Sequence, residues 1–279
     1  MELVHTKEAL KKAINRQKKA GKSIGFVPTM GALHQGHLSL VNEAGKQCGY
    51  VVVSIFVNPT QFNDTADLDN YPRDIDGDMA LLENTSCELV FAPSANEMYP
   101  EKDTRVFDFG QLGEVMEGKH RPGHFNGVAQ IVSKLFDAVQ PDKAFFGLKD
   151  FQQLAIIQNM TAQLGYNIEI VPCNIVREPD GLAMSSRNKR LTTEQRENAA
   201  LISKTLFEAQ KKASDLSIDE IKKWVVSSID ANQHLETEYF DIVDNRTLQS
   251  ITSWNETVNK TGCIAVYCGD VRLIDNVKF

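Results

Sequence analysis

The sequence predicts an α/β protein: a Rossmann-like parallel sheet with helices on both faces, followed by a smaller C-terminal α+β domain. In the first 176 residues, continuous apolar segments alternate with helical patterns, as is typical of a parallel sheet covered on both sides. After residue 177 the pattern changes to two helices followed by three short strands. We therefore predict two domains, at residues 1–176 and 177–279.

The first domain is predicted to open with a helix that begins after Thr6, a capping residue, and ends at Gly21. Further helices are predicted over residues 126–139 and 150–165. Five β-branched or aromatic segments bounded by Gly, Pro or Asn are predicted strands: residues 23–28, 50–57, 88–93, 143–147 and 168–173. Because parallel α/β sheets bind ligands at the carboxyl ends of their strands, the loops that follow these strands are the predicted site.

The second domain is predicted to begin with a long helix opened by a capping box, Thr192 and Gln195. A second helix follows Ser217. Three short strands are then predicted to pair antiparallel: residues 238–244, 263–269 and 271–279.

Composition excludes several classes of function. A formal net charge of −7 argues against nucleic acid as the main partner. No apolar run is long enough to span a bilayer, and the basic first residues lack the apolar core of a secretory signal. Five scattered cysteines without a C-x-x-C pair favour reduced thiols in a cytoplasmic protein: Cys48, Cys87, Cys173, Cys263 and Cys268.

The most informative segment is PTMGALHQGHLSLV, residues 28–41, directly after the first predicted strand. Gly31 and Gly36 allow close backbone approach, and the free N–H groups of a helix that begins near Gly36 favour an anion. His34 and His37, three residues apart, are expected to face the same ligand. Imidazolium can neutralise charge on a phosphate, and imidazole can transfer a proton near pH 7.

Three alternatives compete with this phosphate loop. Either histidine, taken alone, could be an ordinary surface or capping residue. A zinc site could be built from two histidine pairs: His34, His37, His120 and His124. Pro122 and Gly123 prevent the second pair from lying on a regular helix, which argues against that site. A P-loop could be read in GEVMEGKH, residues 113–120, but His120 stands where a P-loop has the Ser or Thr that holds Mg²⁺.

Polar residues also follow several other predicted strands. Asn58 and Gln61 come after one of them, and their amides suit a small polar substrate. Further candidates are Arg121, His124, Lys149, Gln153 and Arg187. Taken singly, each residue is typical of a solvated loop, but several such loops at one edge of a sheet favour a binding site.

Together these motifs resemble a known family. PTMGALHQGHLSLV resembles the H-x-G-H signature of a nucleotidyltransferase superfamily, and MSSRN, residues 184–188, looks like its KMSKS-like element. With SIFVNPTQF, RPGHFNGV, FGLKDFQQL, REPDGLAMSSRN and RLIDN, the whole chain resembles the pantothenate synthetase (pantoate–β-alanine ligase) family in motif order.

The resemblance implies a reaction: ATP, (R)-pantoate and β-alanine give pantothenate, AMP and diphosphate through a pantoyl-adenylate. This reaction belongs to the biosynthesis of pantothenate and coenzyme A. The family also implies that Mg²⁺ accompanies ATP and that the partners are small-molecule substrates. It further implies a homodimer formed through the first domain and a cytoplasmic location. We further expect the second domain to act as a lid, because an adenylate hydrolyses when water reaches it.

The resemblance also implies roles for individual residues of this sequence. His37 matches the family's proton donor, and His34, Lys149 and Arg187 match its other catalytic residues. Gln61 and Gln153 match residues that bind pantoate and β-alanine. Matches to the ATP-binding segments are Met30, Gly31, Ala32, Leu33, His34, Gln35, Gly36, His37, Gly147, Leu148, Lys149, Asp150, Val176, Met184, Ser185, Ser186 and Arg187. Arg121 is a weaker match, at the entrance side.

Two departures limit these expectations. Leu148 stands where the family usually has a polar residue, so we expect it to contact the nucleotide through its backbone rather than through its side chain. Gly77 interrupts an acidic stretch that some members use near the metal, so no metal ligand is predicted. Two rival functions remain at this point: an adenylyltransferase that leaves AMP on its product, and an inactive nucleotide-binding protein.

Overall fold

The computed structural model describes residues 1–63 and 65–279 and divides the chain into two compact units. The first unit comprises Met1–Phe109, Arg121–Leu148 and Gln153–Asn174. The second unit comprises Gly110–His120, Lys149–Gln152 and Ile175–Phe279. The domain boundary between residues 176 and 177 stays a prediction.

The first unit contains a six-stranded parallel sheet in the order β1-β4-β3-β2-β5-β6. Its strands are β1 (Glu2–Val4), β2 (Ile24–Thr29), β3 (Tyr50–Ile55), β4 (Cys87–Phe91), β5 (Lys143–Gly147) and β6 (Glu169–Cys173). From β2 the chain builds outward through β3 and β4, and it then returns to place β5 on the other side of β2. This reversal makes the carboxyl ends of β2 and β5 the topological switch point, where sheets of this kind bind ligands.

Both faces of the sheet are covered, because alternate residues of each strand point to opposite sides. Phe26 of β2 packs in a core with Leu10, Val128 and Ile157 from helices on one face, whereas Val27 packs with Val41 and Leu82 from helices on the other. In the described residues of both units, the helices are α1 (Lys7–Lys19), α2 (Gln35–Gln47), α3 (Thr65–Asp69), α4 (Ile75–Leu82), α5 (Ala95–Met98), α6 (Met116–His120), α7 (His124–Val139), α8 (Phe151–Gln163), α9 (Thr193–Lys212) and α10 (Ile218–Asp230). Short 3₁₀ helices are described at Pro59–Gln61, Gly110–Gly113, Leu148–Asp150 and Ser186–Arg190.

The second unit has its own antiparallel sheet, in the order β7-β8-β9. The strands are β7 (Leu235–Asp244), β8 (Lys260–Cys268) and β9 (Val271–Lys278). They share a core with α9 and α10, which includes Ile202, Ile221 and Val266. Both helices begin with a complete capping box, Thr192 with Gln195 and Ser217 with Glu220.

The predicted architecture is confirmed: a parallel sheet with helices on both faces, and a smaller α+β part with an antiparallel sheet. Thr6 caps α1 as predicted. β1 was not predicted, because a three-residue edge strand is too short to show a pattern. All five cysteines are free thiols. In the described part of the chain, no helix combines the length and the apolar character needed to cross a membrane.

Candidate active site

The loop that follows β2 has a fixed backbone conformation. The Thr29 hydroxyl donates to the Ser54 carbonyl oxygen (2.7 Å) and accepts from the Gly31 N–H (3.2 Å). Gly31 and Ala32 then adopt positive φ angles of 79° and 50°. Glycine adopts such angles easily, but at Ala32 the left-handed conformation costs roughly 1–3 kcal/mol, so other contacts have to stabilise it.

A buried carboxylate supplies those contacts. Asp78 of α4 is 3% exposed, and its two oxygens accept the N–H groups of Ala32 (2.9 Å) and Leu33 (2.6 Å). Hydrogen bonds to a charged group contribute about 1.5–3 kcal/mol each, so two of them outweigh the strain at Ala32. Asp78 lies in the first turn of α4, where the helix dipole also favours a negative charge. The residue is missing from the sequence-based site, because a charged residue in an acidic stretch is typical of a solvated helix face.

His34 and His37 lie side by side at the start of α2. His34 Nδ1 accepts the Gly36 N–H (3.1 Å), so the side chain caps the helix and its remaining proton is on Nε2. The His34 and His37 ring centroids are 4.1 Å apart, with 42° between the ring planes. Two imidazoles therefore meet at a helix N-terminus that follows the central strand, an arrangement suited to an anion.

Hydrogen bonds hold the side-chain amide of Gln61 in place. Asn58, which is 1% exposed, donates from Nδ2 to Gln61 Oε1 (3.1 Å) and to the Gly127 carbonyl oxygen (3.1 Å). The Tyr99 hydroxyl donates to Asn58 Oδ1 (2.8 Å), and Gln61 Nε2 donates to the Met30 sulfur (3.1 Å). This chain of bonds fixes which end of the Gln61 amide is the donor.

The main chain of Gln61 is held by the start of α7. The Gln61 carbonyl oxygen accepts from His124 Nδ1 (2.8 Å) and from Arg121 Nη2 (3.4 Å). A guanidinium can only donate, so Arg121 Nη1 donates to His124 Nε2 (3.2 Å), and His124 is the neutral Nδ1–H tautomer. At Gly127 a Cβ atom would lie 2.3 Å from the Thr60 carbonyl oxygen, so only glycine allows α7 to pack this close. Arg121 and His124 therefore act as supports for Gln61.

Residues after β5 divide between the two units. Gly147 ends β5, and Leu148, the next residue of the first unit, packs against the core. Its apolar side chain therefore has a packing role, which accounts for the departure from the family pattern. Gln153, one turn into the next helix, is half-buried in the same unit.

In the second unit, Lys149 Nζ lies 3.9 Å from Asp150 Oδ1, and the Lys149 carbonyl oxygen accepts from Asn276 Nδ2 (3.0 Å). The bond to Asn276 ties the main chain of Lys149 to β9.

The second-unit segment with Ser185, Ser186 and Arg187 is a tight turn into a 3₁₀ helix. Ser185 Oγ accepts the Arg187 N–H (3.3 Å), and Asn188 Nδ2 donates to the Ala183 carbonyl oxygen (3.1 Å). The Met184 N–H donates to the Val176 carbonyl oxygen (3.0 Å), so the two predicted ATP-binding segments at Val176 and Met184 are neighbours in a short antiparallel loop.

That loop is anchored by a buried ion pair. Arg177 binds Asp275 of β9 in a bidentate manner (2.6 and 2.9 Å) and also donates to the Gly181 carbonyl oxygen (3.1 Å). The guanidinium also lies over the Phe207 ring, 4.9 Å from its centroid. The Arg177 and Asp275 side chains are 18% and 3% exposed. Sequence reasoning did not find this pair, because its members are 98 residues apart.

A further ion network was also not predicted. Arg272 donates to both oxygens of Glu117 (2.8 and 2.7 Å) and to Glu238 (3.0 Å), and the Tyr239 hydroxyl donates to Glu117 (2.8 Å). Burial alone would lower the pKa of Arg272, but the carboxylates of Glu117 and Glu238 raise it above its ordinary value. Burial raises the pKa of Tyr239, and the Glu117 carboxylate raises it further. The network fastens α6 to β7 and β9, so residues 113–120 do not form a P-loop.

Comparison with known proteins identifies the family. A family model described as pantoate-beta-alanine ligase matches residues 2–278. The chain belongs to the pantoate–β-alanine ligase family. Among curated relatives, the pantothenate synthetase of Bacteroides thetaiotaomicron is 55% identical, covering 100% of this chain and 99% of the relative. The pantothenate synthetase of Porphyromonas gingivalis is 54% identical with the same coverage.

Solved structures of this family have the same fold. The pantothenate synthetase of Thermus thermophilus has a TM-score of 0.93 at 41% identity, with 99% of each chain covered. The pantoate-beta-alanine ligase of Francisella tularensis, solved in complex with beta-gamma ATP and β-alanine, has a TM-score of 0.83 at 33% identity, with 99% of this chain and 97% of that chain covered. The predicted family, fold class and ligase activity, which condenses pantoate with β-alanine, are confirmed.

Two of the four histidines of the zinc alternative, His34 and His124, have other partners in the structure. Within residues 1–63 and 65–279, no three His, Cys, Asp or Glu side chains are grouped so that they could hold a metal ion. His124 instead binds Arg121 and Gln61, and His34 caps α2.

Proposed function

We propose that this ligase uses ATP and works through a pantoyl-adenylate. A pantoate carboxylate oxygen attacks the α-phosphorus, and the bond to diphosphate breaks. The β-alanine amine then attacks the acyl carbon, and AMP leaves with its oxygen. The observation that carries the proposal is the pair of imidazoles, 4.1 Å apart, at the helix N-terminus beside the switch point of the sheet.

The first step joins two negatively charged reactants, so it depends mainly on positioning and on neutralising charge. The N-terminal N–H groups of α2 and the Nε2–H of His34 are donors for phosphate oxygens. His37 is proposed as the proton donor, and its neighbour His34 is proposed to act with it on the phosphates, which the 4.1 Å between their ring centroids supports. Such donors act best where charge develops in the transition state.

The held amide of Gln61 suits pantoate. An amide nitrogen carries two protons, so Gln61 can donate one to the Met30 sulfur and the other to a hydroxyl or carboxylate oxygen of the substrate. Because Asn58 fixes Oε1 as an acceptor, the donor end cannot exchange with the acceptor end. Gln153 is proposed as the second amide for pantoate.

Residues of the second unit are also proposed to bind ATP. Lys149 and Arg187 supply positive charge for the phosphates, and the hydroxyls of Ser185 and Ser186 supply polar contacts. The backbone of the loop between Val176 and Met184 is proposed to hold the adenine. The bond from Met184 to Val176 supports this grouping, since it brings the two segments together.

Mg²⁺ is proposed to enter with ATP as part of the substrate. No described group of acidic side chains is arranged as a resident metal site, so the phosphates are expected to supply most of the ligands. A cytoplasmic location, a homodimer formed through the first domain, a domain boundary at residue 177 and a lid role for the second domain stay predictions. Sedimentation velocity tests the dimer.

The experiment that tests the adenylate is exchange of labelled diphosphate into ATP, with pantoate present and β-alanine left out. The proposal predicts exchange that requires pantoate, and AMP release only when β-alanine is added. Exchange in His37→Ala should fall by about 10²–10³-fold. Folded, Mg²⁺-supplied enzyme that forms pantothenate without any such exchange would contradict the adenylate mechanism.

A further inference from the structure

We infer that Asp78 is a positioning residue for the histidine loop, residues 30–37, acting through the backbone of Ala32 and Leu33. The inference rests on the proposed function, in which this loop holds the phosphates of ATP. Asp78 comes from α4, 45 residues further along the chain than Leu33, and it is 3% exposed.

Three independent features of the loop converge on this carboxylate. Its two oxygens accept the N–H groups of Ala32 and Leu33. Ala32 has a positive φ of 50°, a conformation that an L residue keeps only when its surroundings hold it. At Gly31 a Cβ atom would lie 2.9 Å from Asp78 Oδ2, so the glycine makes room for the carboxylate.

The location of these bonds explains how Asp78 could affect chemistry that it does not perform. Leu33 directly precedes His34, which caps α2, and the His34 carbonyl oxygen accepts the His37 N–H (2.8 Å). Fixing Leu33 therefore fixes the starting point of the helix turn that orients both imidazoles. A shift of about 1 Å in such groups can lower a rate by about 10²-fold.

An acidic residue beside a phosphate loop would repel the substrate if its charge faced the ligand. Asp78 instead directs both carboxylate oxygens to backbone donors of the loop and lies at the positive end of α4. The negative charge thereby holds the loop in shape.

The test compares Asp78→Asn with Asp76→Asn, an exposed carboxylate in the same helical turn. Asparagine keeps the shape of the side chain but turns one acceptor into a donor, which opposes a backbone N–H. We expect kcat/KM for ATP to fall by about 10²-fold in Asp78→Asn, with KM for β-alanine within about twofold. Asp76→Asn should match the wild type.

A second substitution separates positioning from simple loss of stability. Glycine adopts positive φ without strain, so Ala32→Gly in the Asp78→Asn background should restore kcat/KM for ATP by about fivefold or more. Activity of Asp78→Asn within twofold of the wild type would overturn the inference. A loss that Ala32→Gly leaves unchanged would also overturn it, because the effect would then not pass through the loop.

Amide hydrogen exchange without ligand gives a readout that does not depend on ATP. The N–H groups of Ala32 and Leu33 should exchange slowly in the wild type and at least about tenfold faster in Asp78→Asn or, if that variant does not fold, in Asp78→Glu. Unchanged protection at both amides would refute the inference even if the proposed function is right. Absence of diphosphate exchange in the wild type would instead refute the proposed function, whatever the amides show.

Discussion

Two candidate ATP-binding segments differ in how they are held in place. One is the histidine loop of the first unit, and the other is the serine–arginine turn of the second unit, residues 184–188. Each is a tight turn that opens a helix, capped by His34 in one case and by Ser185 in the other. The histidine loop is held through its own backbone by the buried carboxylate of Asp78. The serine–arginine turn follows a loop that the Arg177–Asp275 ion pair fastens to β9.

The difference shows which contacts fix the backbone position of each segment. In both cases the candidate binding residues are accompanied by an anchor that lies outside the segment itself: Asp78 for residues 30–37, and the Arg177–Asp275 pair for residues 184–188. A carboxylate that binds N–H groups fixes main-chain angles residue by residue, whereas an ion pair between side chains fixes the place of a whole loop. Variants of ligand-facing residues should therefore lower activity with little effect on stability, and variants of anchors should affect stability as well.

The largest effect is expected for His34→Ala and His37→Ala. Loss of either imidazole should lower kcat for pantothenate formation by about 10²–10³-fold, because each contact strengthens as charge develops on the phosphates. The free energy of unfolding should change little for His37→Ala, whereas His34→Ala also removes a helix cap, at a cost of about 1 kcal/mol. His234→Ala, which lies in a turn of the second unit, is the control and should keep wild-type kinetics. Equal losses in the control would contradict the assignment.

Arg177→Met should affect both properties. It leaves the buried Asp275 carboxylate without its bidentate partner, so the free energy of unfolding in urea should fall by about 2–3 kcal/mol, somewhat less than for a fully buried pair. ATP use should fall by about tenfold, because the loop between Val176 and Met184 loses its anchor. Arg196→Met is the matched control: its pair with Asp180 is more than 30% exposed on both sides and contributes about 1 kcal/mol at most. Similar losses of stability and ATP use in the two variants would show that the burial of the Arg177–Asp275 pair does not make it an anchor.

The neighbouring residues Gln152 and Gln153 also allow an anchor residue to be compared with a candidate ligand-binding residue. Gln152 is 3% exposed and binds the carbonyl oxygens of Leu112 and Val115 and the N–H of Glu117. Gln152→Ala should therefore cost about 2–3 kcal/mol of stability, since it leaves buried polar groups without partners. Gln153→Ala should raise KM for pantoate by about tenfold and keep the stability. The reverse pattern would exchange the two roles.

The smallest expected effect is a change in how the free energy of unfolding depends on pH below pH 5. A hydrogen bond from Arg196 is the main cause that lowers the pKa of Asp180 below its ordinary value. A carboxyl whose pKa is lowered on folding adds stability above its unfolded pKa of about 3.9, and this stability is lost as the pH falls below that value. Between pH 5 and pH 2, Asp180→Asn should therefore lose less stability than the wild type, by no more than about 1 kcal/mol. Urea unfolding at each pH measures the difference. Parallel curves would show that the pair contributes nothing.

Sequence reasoning succeeded where the signal is local. Periodicity and turn residues gave the main strands and helices, and the capping box of Thr192 and Gln195 was identified from spacing alone. The proximity of His34 and His37 followed from their spacing at a helix start. The anchors were not predictable in this way. Asp78 meets its partners across 45 and 46 residues, and Arg177 meets Asp275 across 98, so only the folded chain shows them.

The central claim is that His37 of the histidine loop and Arg187 of the serine–arginine turn are both needed for the use of ATP, and one assay tests it most directly. Pantoate-dependent exchange of labelled diphosphate into ATP should be measured without β-alanine in the wild type, His37→Ala and Arg187→Ala, each shown to unfold at the wild-type urea midpoint. The account predicts that both variants lose exchange by at least about 10²-fold. Full exchange in Arg187→Ala would show that Arg187 is not needed for the use of ATP and would contradict the claim.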